Sequence, residues 1–564
     1  MSQTPHVARR TSHVSDGTWH VARRTWHVAA LVCLAATLPY LGTINDYFLR
    51  DDFGVVQLLA QRPASFFFRW FTLSWMEDIW GFIPDEIRPF PAASYQLTAL
   101  AGAANPAAHH VLNIALHAAN GLLVLAIGRR FMGLSLSAAT FAAVAFVLLP
   151  AHPETVAWIT GRVDSMPAFF YLATFYAFAA YRDAMDRDAG SGLAGPAARR
   201  YAAALVLFFV ALFTKQNTIT MVATLVAYDV IVRRDFRLRI GPYVPFLMMT
   251  LGYLGLRFVL FGQVAREDQL NEQGLRSFIS LVERHLARVV TGDVDGPRSV
   301  LWLVLAGAAM VWLFARRHPS RSPRLADVML FVGPVWWVIG VAPVAVAGYE
   351  SPRHIYLAAA GWGLTLGAIV DIVLSWRPQP SWRYACTAAA AMCLLVYTVQ
   401  LADGIREYGD FADVSHEAVQ GVRSEVLNGP QGGLVIVGVP GQSWDWALPF
   451  AVRPPYTRTD LTSRAFIVSP RALHCCSGQW FEDTRRHLRN WSTGPAQHSV
   501  TLLRWSGEPG SAGRVTSADY PDLPGIARAL LTIDQPAVLE ANIQRMLREM
   551  VPLNTTTRPR QGLP

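Results

Sequence analysis

Apolar runs recur through the first 400 residues, with arginine in every second gap between them, and this alternation constrains the chain more than any other feature. A helix that crosses a bilayer needs about 20 mostly apolar residues. Runs of that character lie near 28–44, 110–128, 135–151, 166–181, 201–214, 217–232, 241–262, 299–315, 326–347, 355–375 and 384–402, eleven in all. The fifth and sixth are short and share the break "TKQN" at 214–217. Composition agrees: 52% of residues are hydrophobic and 16% charged, where soluble domains carry about 25% charged residues. The run from Val28 to Ile44 has no A-x-A-like cleavage site and is long enough to span, which argues against a signal peptide. The chain reads as an integral membrane protein with a soluble part.

The arginines set the orientation, because short cytoplasmic loops are enriched in Lys and Arg. Arg9, Arg10, Arg23 and Arg24 precede the first run; Arg129 and Arg130 follow the second; Arg182, Arg187, Arg199 and Arg200 follow the fourth. Arg233, Arg234, Arg237 and Arg239 follow the sixth, Arg316, Arg317, Arg321 and Arg324 the eighth, and Arg377 and Arg383 the tenth. These loops and the N-terminus are expected in the cytoplasm, and after eleven spans the C-terminus outside, in a multi-pass inner-membrane protein. The net charge of +9 is then a topology signal. No basic stripe with interleaved aromatics points to nucleic acid. The tail 1–27 repeats Thr-x-His-Val in four heptads without apolar a and d positions. It reads as a tandem duplication, or as a start codon set too early, and not as a coiled coil or a histidine metal site.

The remaining gaps fall on the outer face: 45–109, "HPETVAWITGRVDS" at 152–165, "TKQN", 263–298, "GYESPRHI" and everything after about 403. They hold most of the unusual polar residues near membrane depth. Such groups cost about 2.5–3.5 kcal/mol each at a helix centre and are functional suspects by default. Asp51 and Asp52 stand together just outside the first run, and paired acids bias toward a cation or a tuned base. Trp70, Trp75 and Trp80 suit a surface in the membrane interface. Trp158 reads as an interface anchor, and His152-Pro153 equally well as a helix terminator. Lys215 is the sole lysine in the chain. An ammonium kept where every other cation is arginine suggests a tight site that a guanidinium does not fit.

Several of these stretches form an ordered series of motifs: "RDDFG"; then Arg88, Pro89, Asn105, Pro106, His110, Asn113, His117 and Asn120 leading into the second run; then "HPETVAWITGRVD", "FTKQN" and "SPRHIYLAAAG". In this order they resemble the GT-C polytopic membrane glycosyltransferases, in particular the O-mannosyltransferase-like proteins whose relatives often end in TPR repeats. The resemblance covers residues ~28–400. It departs from the pattern at Thr214, Gln216, His354 and Ala358. No 34-residue TPR period is present.

The resemblance implies an outward-facing enzyme that passes a sugar, a mannose-like hexose first, from a polyprenyl-phosphate donor to a hydroxyl on a glycan, lipid or secreted protein. It implies Asp51 as the base, with Asp52 as its partner or the ligand of a divalent cation, Mg or Mn. Arg162, Lys215 and Arg353 are the candidates for the donor phosphate, since cationic donors must hold a departing phosphate. Arg88, His110, His117, His152, Glu154, Asp164, His354 and Tyr356 are supporting candidates, with His152 and Glu154 orienting neighbours or binding a cation. No Walker loop or G-x-G-x-x-G follows a strand, so nucleotide binding has no support. Rival readings are a lipid-linked glycan flippase or transporter, and a polysaccharide ligase or polymerase. No repeated half is visible, and the polar residues gather on one face, which favours an enzyme.

The expected organisation is a basic tail (1–27), a GT-C-like transmembrane domain of about 11 helices (28–402) with a large first outer loop (45–109), and a periplasmic α/β or α+β domain (403–564). In the last, "FADVSHEAVQGVRSEVLN" reads as a helix, "GGLVIVGVP" and "SVTLLRW" as strands, and "ALLTIDQPAVLEANIQRMLREM" as containing a closing helix. Cys33, Cys386 and Cys393 fall in spans, while Cys475 and Cys476 are adjacent and read as reduced.

Overall fold

In the computed structural model the described residues are 14–76, 86–187, 195–236, 240–264, 267–291, 298–317, 322–348, 351–376, 379–428, 432–437, 448–461, 465–468, 499–505 and 512–515. The first histidine repeat, His13 of the second, Trp80, Cys475, Cys476 and the closing helix lie outside them. The helices run α1 (Val14–Thr37), α2 (Asp51–Gln61), α3 (Pro89–Ala99), α4 (Ala107–Arg130), α5 (Leu136–Val147) and a single turn, α6 (Pro153–Val156). There follow α7 (Arg162–Arg187), α8 (Pro196–Leu212), α9 (Met221–Ala227), α10 (Val244–Phe261), α11 (Glu267–Thr291), α12 (Arg298–Arg317), α13 (Ser322–Leu330), α14 (Trp336–Val346), α15 (Tyr356–Trp376), α16 (Pro380–Asn428) and the short α17 (Leu448–Ala451).

Among the described residues, seven helices are long and apolar enough to cross a membrane: Trp26–Asn45, Ala107–Arg130, Gly241–Phe261, Ser299–Arg317, Arg324–Val346, Pro352–Trp376 and Pro380–Ser424. The other four expected runs are helical too, in α5, α7, α8 and the segment Gln216–Val232. The break at "TKQN" is real: α8 stops at Leu212, and a 3-10 turn restarts the chain at Gln216. The core forms where small residues let backbones approach. A Cβ on Gly363 of α15 would stand 2.7 Å from the carbonyl oxygen of Ala142 on the alanine-rich α5, the close helix contact that membrane interiors favour.

Ion pairs collect the arginine-rich gaps at one end of the bundle. Arg182 pairs with Asp229 at 3.1 Å and with Asp235 at 2.6 Å, and Arg233 pairs with Asp186 at 2.5 Å. Arg234 and Arg316 share Asp327, each at 2.5 Å. Arg130 donates to Tyr176 at 2.9 Å. The loops after α4, α7, Val232 and α12 therefore meet on one face, as their shared charge implied.

Two expectations change. Trp70 and Trp75 are each 1% exposed. Their indoles fold inward, Trp75 donating to Glu86 at 2.9 Å, and the exposed apolar side chains of this region are Phe68, Leu97 and Leu100. The last span and the helix expected after it are one helix, α16, of 49 residues. No proline interrupts it, so it continues for about 75 Å and carries the chain on to the sheet. There β1 (Gly432–Val437) pairs in parallel with β2 (Ala465–Val468) and β3 (Ser499–Trp505), and β4 (Ala512–Val515) runs antiparallel to β3, in the order β2-β1-β3-β4. The two strands read from the sequence are β1 and β3.

With the five native cysteines replaced by serine, Arg187→Cys and Arg458→Cys proteins should label from opposite sides of the membrane with an impermeant maleimide. Labelling of both from the same side would break this arrangement.

Candidate active site

The site is built on a buried polar stripe of α4. His110, Asn113, His117 and Asn120 recur at three- and four-residue spacing and so share one helix face, and all four are buried. Asn113 uses its whole amide. Its Nδ2 donates to the carbonyls of Trp158 at 2.9 Å and Ile159 at 3.2 Å, and its Oδ1 accepts from Arg162 Nε at 2.8 Å. His117 Nε2 donates to the Val147 carbonyl at 3.0 Å, so its Nδ1 accepts the Tyr356 hydroxyl at 2.7 Å. Asn120 donates to the Ser165 carbonyl at 2.9 Å, and His110 to the Asp46 carbonyl at 3.1 Å. The stripe thus grips residues 156–165, which cross the end of the bundle between α5 and α7. Gly161 lies so close to the carbonyls of Glu154 and Thr155 that no Cβ fits there.

Arg162 is not a free phosphate fork. It is 0% exposed. Besides Asn113, it donates to Ser94 at 3.2 Å, to Thr98 at 3.4 Å and to the His109 carbonyl at 2.9 Å, and its guanidinium lies 4.5 Å from the Tyr95 ring centroid. These partners are neutral acceptors and a ring face. They satisfy a buried cation in place of water, and the donor role expected of Arg162 becomes a positioning one. His152 is likewise turned away from the cluster. Its ring packs 4.5 Å from Tyr356 and 5.1 Å from Phe146.

The other candidates converge. Lys215 pairs with Asp164 at the start of α7 and stands 3.3 Å from His354 Nδ1. Since an ammonium only donates, His354 Nδ1 accepts. Arg353 Nε lies 3.7 Å from Asp164 Oδ2. Glu154 fixes the Pro352–Ile355 turn, accepting from Ser351 Oγ at 2.6 Å and from the Arg353 amide at 3.1 Å. Trp158, 3% exposed, is a platform and not an interface anchor; the Arg353 guanidinium sits 4.6 Å from its ring centroid and that of Arg50 5.7 Å. Among the described residues, Arg353 Nε and Nη1 and Arg88 Nε have no hydrogen-bond partner. The charges of Arg88 and Arg353 both act on Lys215, so three cations gather around Asp164 and Glu86.

Asp51 and Asp52 follow Arg50, whose φ of 46° is a conformation that side chains rarely adopt. They differ sharply. Asp52 accepts from the Leu49 amide at 2.9 Å and from the Thr160 amide at 2.8 Å, with the Thr160 hydroxyl on the same oxygen. Burial pushes its carboxyl up to about 7 against the pull of these donors. Asp51 is half-buried and opens α2. Burial raises it to about 6, and the charges of Arg353 and Arg50 oppose the rise. Both oxygens of Asp52 are taken by protein donors, and among the described residues no three His, Cys, Asp or Glu side chains converge to hold a metal. Asp52 is therefore engaged by the protein and is not the open cation ligand expected of it.

Glu86 was not anticipated. It pairs with Arg88 at 2.9 Å and stands two residues before it, so an acid beside the motif was the available signal. Thr160 and Tyr456, both on the acidic pair, carried no signal.

No protein-family model matches the chain. A 162-residue segment is 28% identical to the protein O-mannosyl-transferase Tmtc1 of Drosophila melanogaster, covering 27% of this chain and 18% of that one. Human protein O-mannosyl-transferase TMTC4 is 27% identical over 233 residues, 37% of this chain and 29% of that one. The matches therefore span less than a third of these curated relatives. The archaeal oligosaccharyltransferase AglB from Archaeoglobus fulgidus superposes with a TM-score of 0.50 at 11% identity, over 86% of this chain and 69% of that one. The chain shares the fold of that membrane enzyme. The chain is accordingly a multi-pass membrane protein, and the motif resemblance to the O-mannosyltransferases agrees with the sequence matches.

Arg162→Lys keeps the charge but loses the planar fork. It should lower the stability of the purified protein by about 2 kcal/mol, read as a fall in melting temperature, while donor affinity in the folded fraction stays unchanged. Lost donor binding with parental stability would return Arg162 to the phosphate.

Proposed function

We propose that the chain is a membrane glycosyltransferase that moves a sugar from a polyprenyl-phosphate donor to an acceptor hydroxyl on the outer face. One observation carries the reading. Asp51 stands in the field of Arg353 and Arg50, and Arg353, with two nitrogens that no described residue hydrogen-bonds, meets Lys215 at Asp164. The two halves of the chemistry match these groups. As the acceptor oxygen bonds to the anomeric carbon, its proton passes to Asp51 and the carbon–phosphate oxygen bond breaks. The electron pair leaves with the phosphate, whose growing charge Lys215 and Arg353 stabilise. Asp164 and His354 hold the Lys215 ammonium in place, and Asp52 holds the turn beneath Asp51.

A mannose-like hexose is the favoured sugar, after the O-mannosyl-transferase relatives, and a polyprenyl phosphate the favoured carrier, after the dolichol-phosphate named for the AglB complex. The acceptor is a hydroxyl on a glycan, lipid or secreted protein. The arginine-rich face lies in the cytoplasm and the residues after 403 form an extracytoplasmic domain. A flippase would need a path to the opposite face. The ion pairs Arg182–Asp229, Arg233–Asp186 and Arg234–Asp327 stand at that end.

The pH dependence follows from Asp51. A base must be ionised to accept a proton, so turnover should rise through about pH 6. With a labelled polyprenyl-phosphate mannose, Asp51→Asn should bind donor normally and turn over at least about a hundredfold slower. Lys215→Ala and Arg353→Ala should lose donor affinity while still inserting. Near-parental turnover in Asp51→Asn would remove it as the base, and unchanged affinity in both cation variants would remove them from the site.

A further inference from the structure

The acidic pair depends on a turn that does not hold itself. Arg50 at φ 46° is strained, and such a conformation persists only where its surroundings over-determine it. The surroundings come from distant parts of the chain. Trp158 Nε1 donates to the Leu49 carbonyl at 3.3 Å, and Ser415 Oγ on α16 donates to the Phe48 carbonyl at 2.5 Å. A third clamp comes from beyond α16, in the stretch 453–457. Tyr456 donates to the Phe53 carbonyl at 3.0 Å and to the Asp52 carbonyl at 3.3 Å. Its ring meets Phe53 edge-on at 4.9 Å and Phe48 at 5.0 Å, so one side chain bridges the strained residue from both sides. Gln57, one helical turn after Phe53, anchors the same stretch by donating to the Pro454 carbonyl at 3.0 Å.

Helix geometry places this clamp behind the site. Phe53 and Gln57 share a face of α2, and Asp51 is about 200° around the helix from Phe53. Tyr456 therefore grips the back of the helix whose front presents the carboxylate. We propose that Tyr456 is a positioning residue: from beyond the long helix it locks the Arg50 turn and so sets where the Asp51 carboxylate stands. The part of the chain after α16 is then a working component of the site. This rests on the functional reading above.

The charged groups that act on Asp51 are Arg50 and Asp52 beside it, Glu86 from the segment before α3 and Arg353 from the turn before α15. Loosening the turn lets Asp51 take up water. Its burial then falls, and the acidic limb of the rate profile moves to lower pH.

The test uses the full chain purified in nanodiscs. Tyr456→Phe keeps the ring and removes the hydroxyl. Hydrogen exchange read by mass spectrometry should quicken in peptides covering 47–56 and nowhere else in the transmembrane part. With polyprenyl-phosphate mannose, kcat should fall about tenfold, the range of one lost hydrogen bond, with donor KM unchanged and the acidic limb displaced downward. Gln57→Met loosens the same stretch without touching Tyr456 and should shift the same readouts in the same direction, which decides the matter if Tyr456→Phe is not recovered folded. Unchanged exchange at 47–56 overturns the proposal whether or not the parent protein is active. Quickened exchange with parental kcat and pH profile also overturns it. A parent protein that turns over no polyprenyl-phosphate sugar contradicts the functional reading, while exchange still decides the clamp.

Discussion

The hydrogen bond between Asn113 and Arg162 is the contact on which the candidate site depends. It joins α4 to the crossing segment 154–164, and that segment reaches almost every other part of the site. Glu154 holds the turn carrying Arg353 and His354. Trp158 underlies Arg353 and donates to Leu49. Thr160 holds Asp52, and Asp164 holds Lys215. A polar turn of ordinary composition could have joined α5 to α7. This one instead distributes side chains to four separate elements.

The energetics divide the polar residues into two kinds. Buried groups that are fully paired rigidify a structure, and buried groups left unpaired are costly. Asn113, Arg162, His117 and Asp52 belong to the first kind. Among the described residues, Arg353, Arg88 and the Asp164 Oδ2 atom keep unused hydrogen-bonding capacity, at the place where the proposed reading puts the donor phosphate. The strain at Arg50 belongs to the same economy: packing from Trp158, α16 and Tyr456 holds a turn that the local sequence alone would not choose.

Much of this was legible in the sequence, for physical reasons. Apolar periodicity and alternating arginines are local signals, and they located the spans and the loops that share a face. Lys215 stood out as the sole lysine in the chain, and it joins the buried cluster through Asp164. Arg162 was misread because an arginine in an outer loop looks like a phosphate ligand until its burial is known, and that burial is set by Asn113, 49 residues away. Trp70 and Trp75 were misread because amphipathic aromatic segments look alike whether their indoles face lipid or protein. Tyr456 was invisible. It meets Phe53 across 403 residues, with no spacing or motif to announce the contact.

The central claim is that the outer cluster binds a lipid-linked phosphosugar with its phosphate on the cations and its anomeric carbon before Asp51. A cryo-EM structure of the full chain in nanodiscs with a non-hydrolysable polyprenyl-phosphate mannose tests it most directly. The account predicts phosphate density within hydrogen-bond reach of Lys215 and Arg353, and the sugar on the Asp51 side. Phosphate density at the arginine-rich end, or seated on Arg162 with its bond to Asn113 broken, would contradict it.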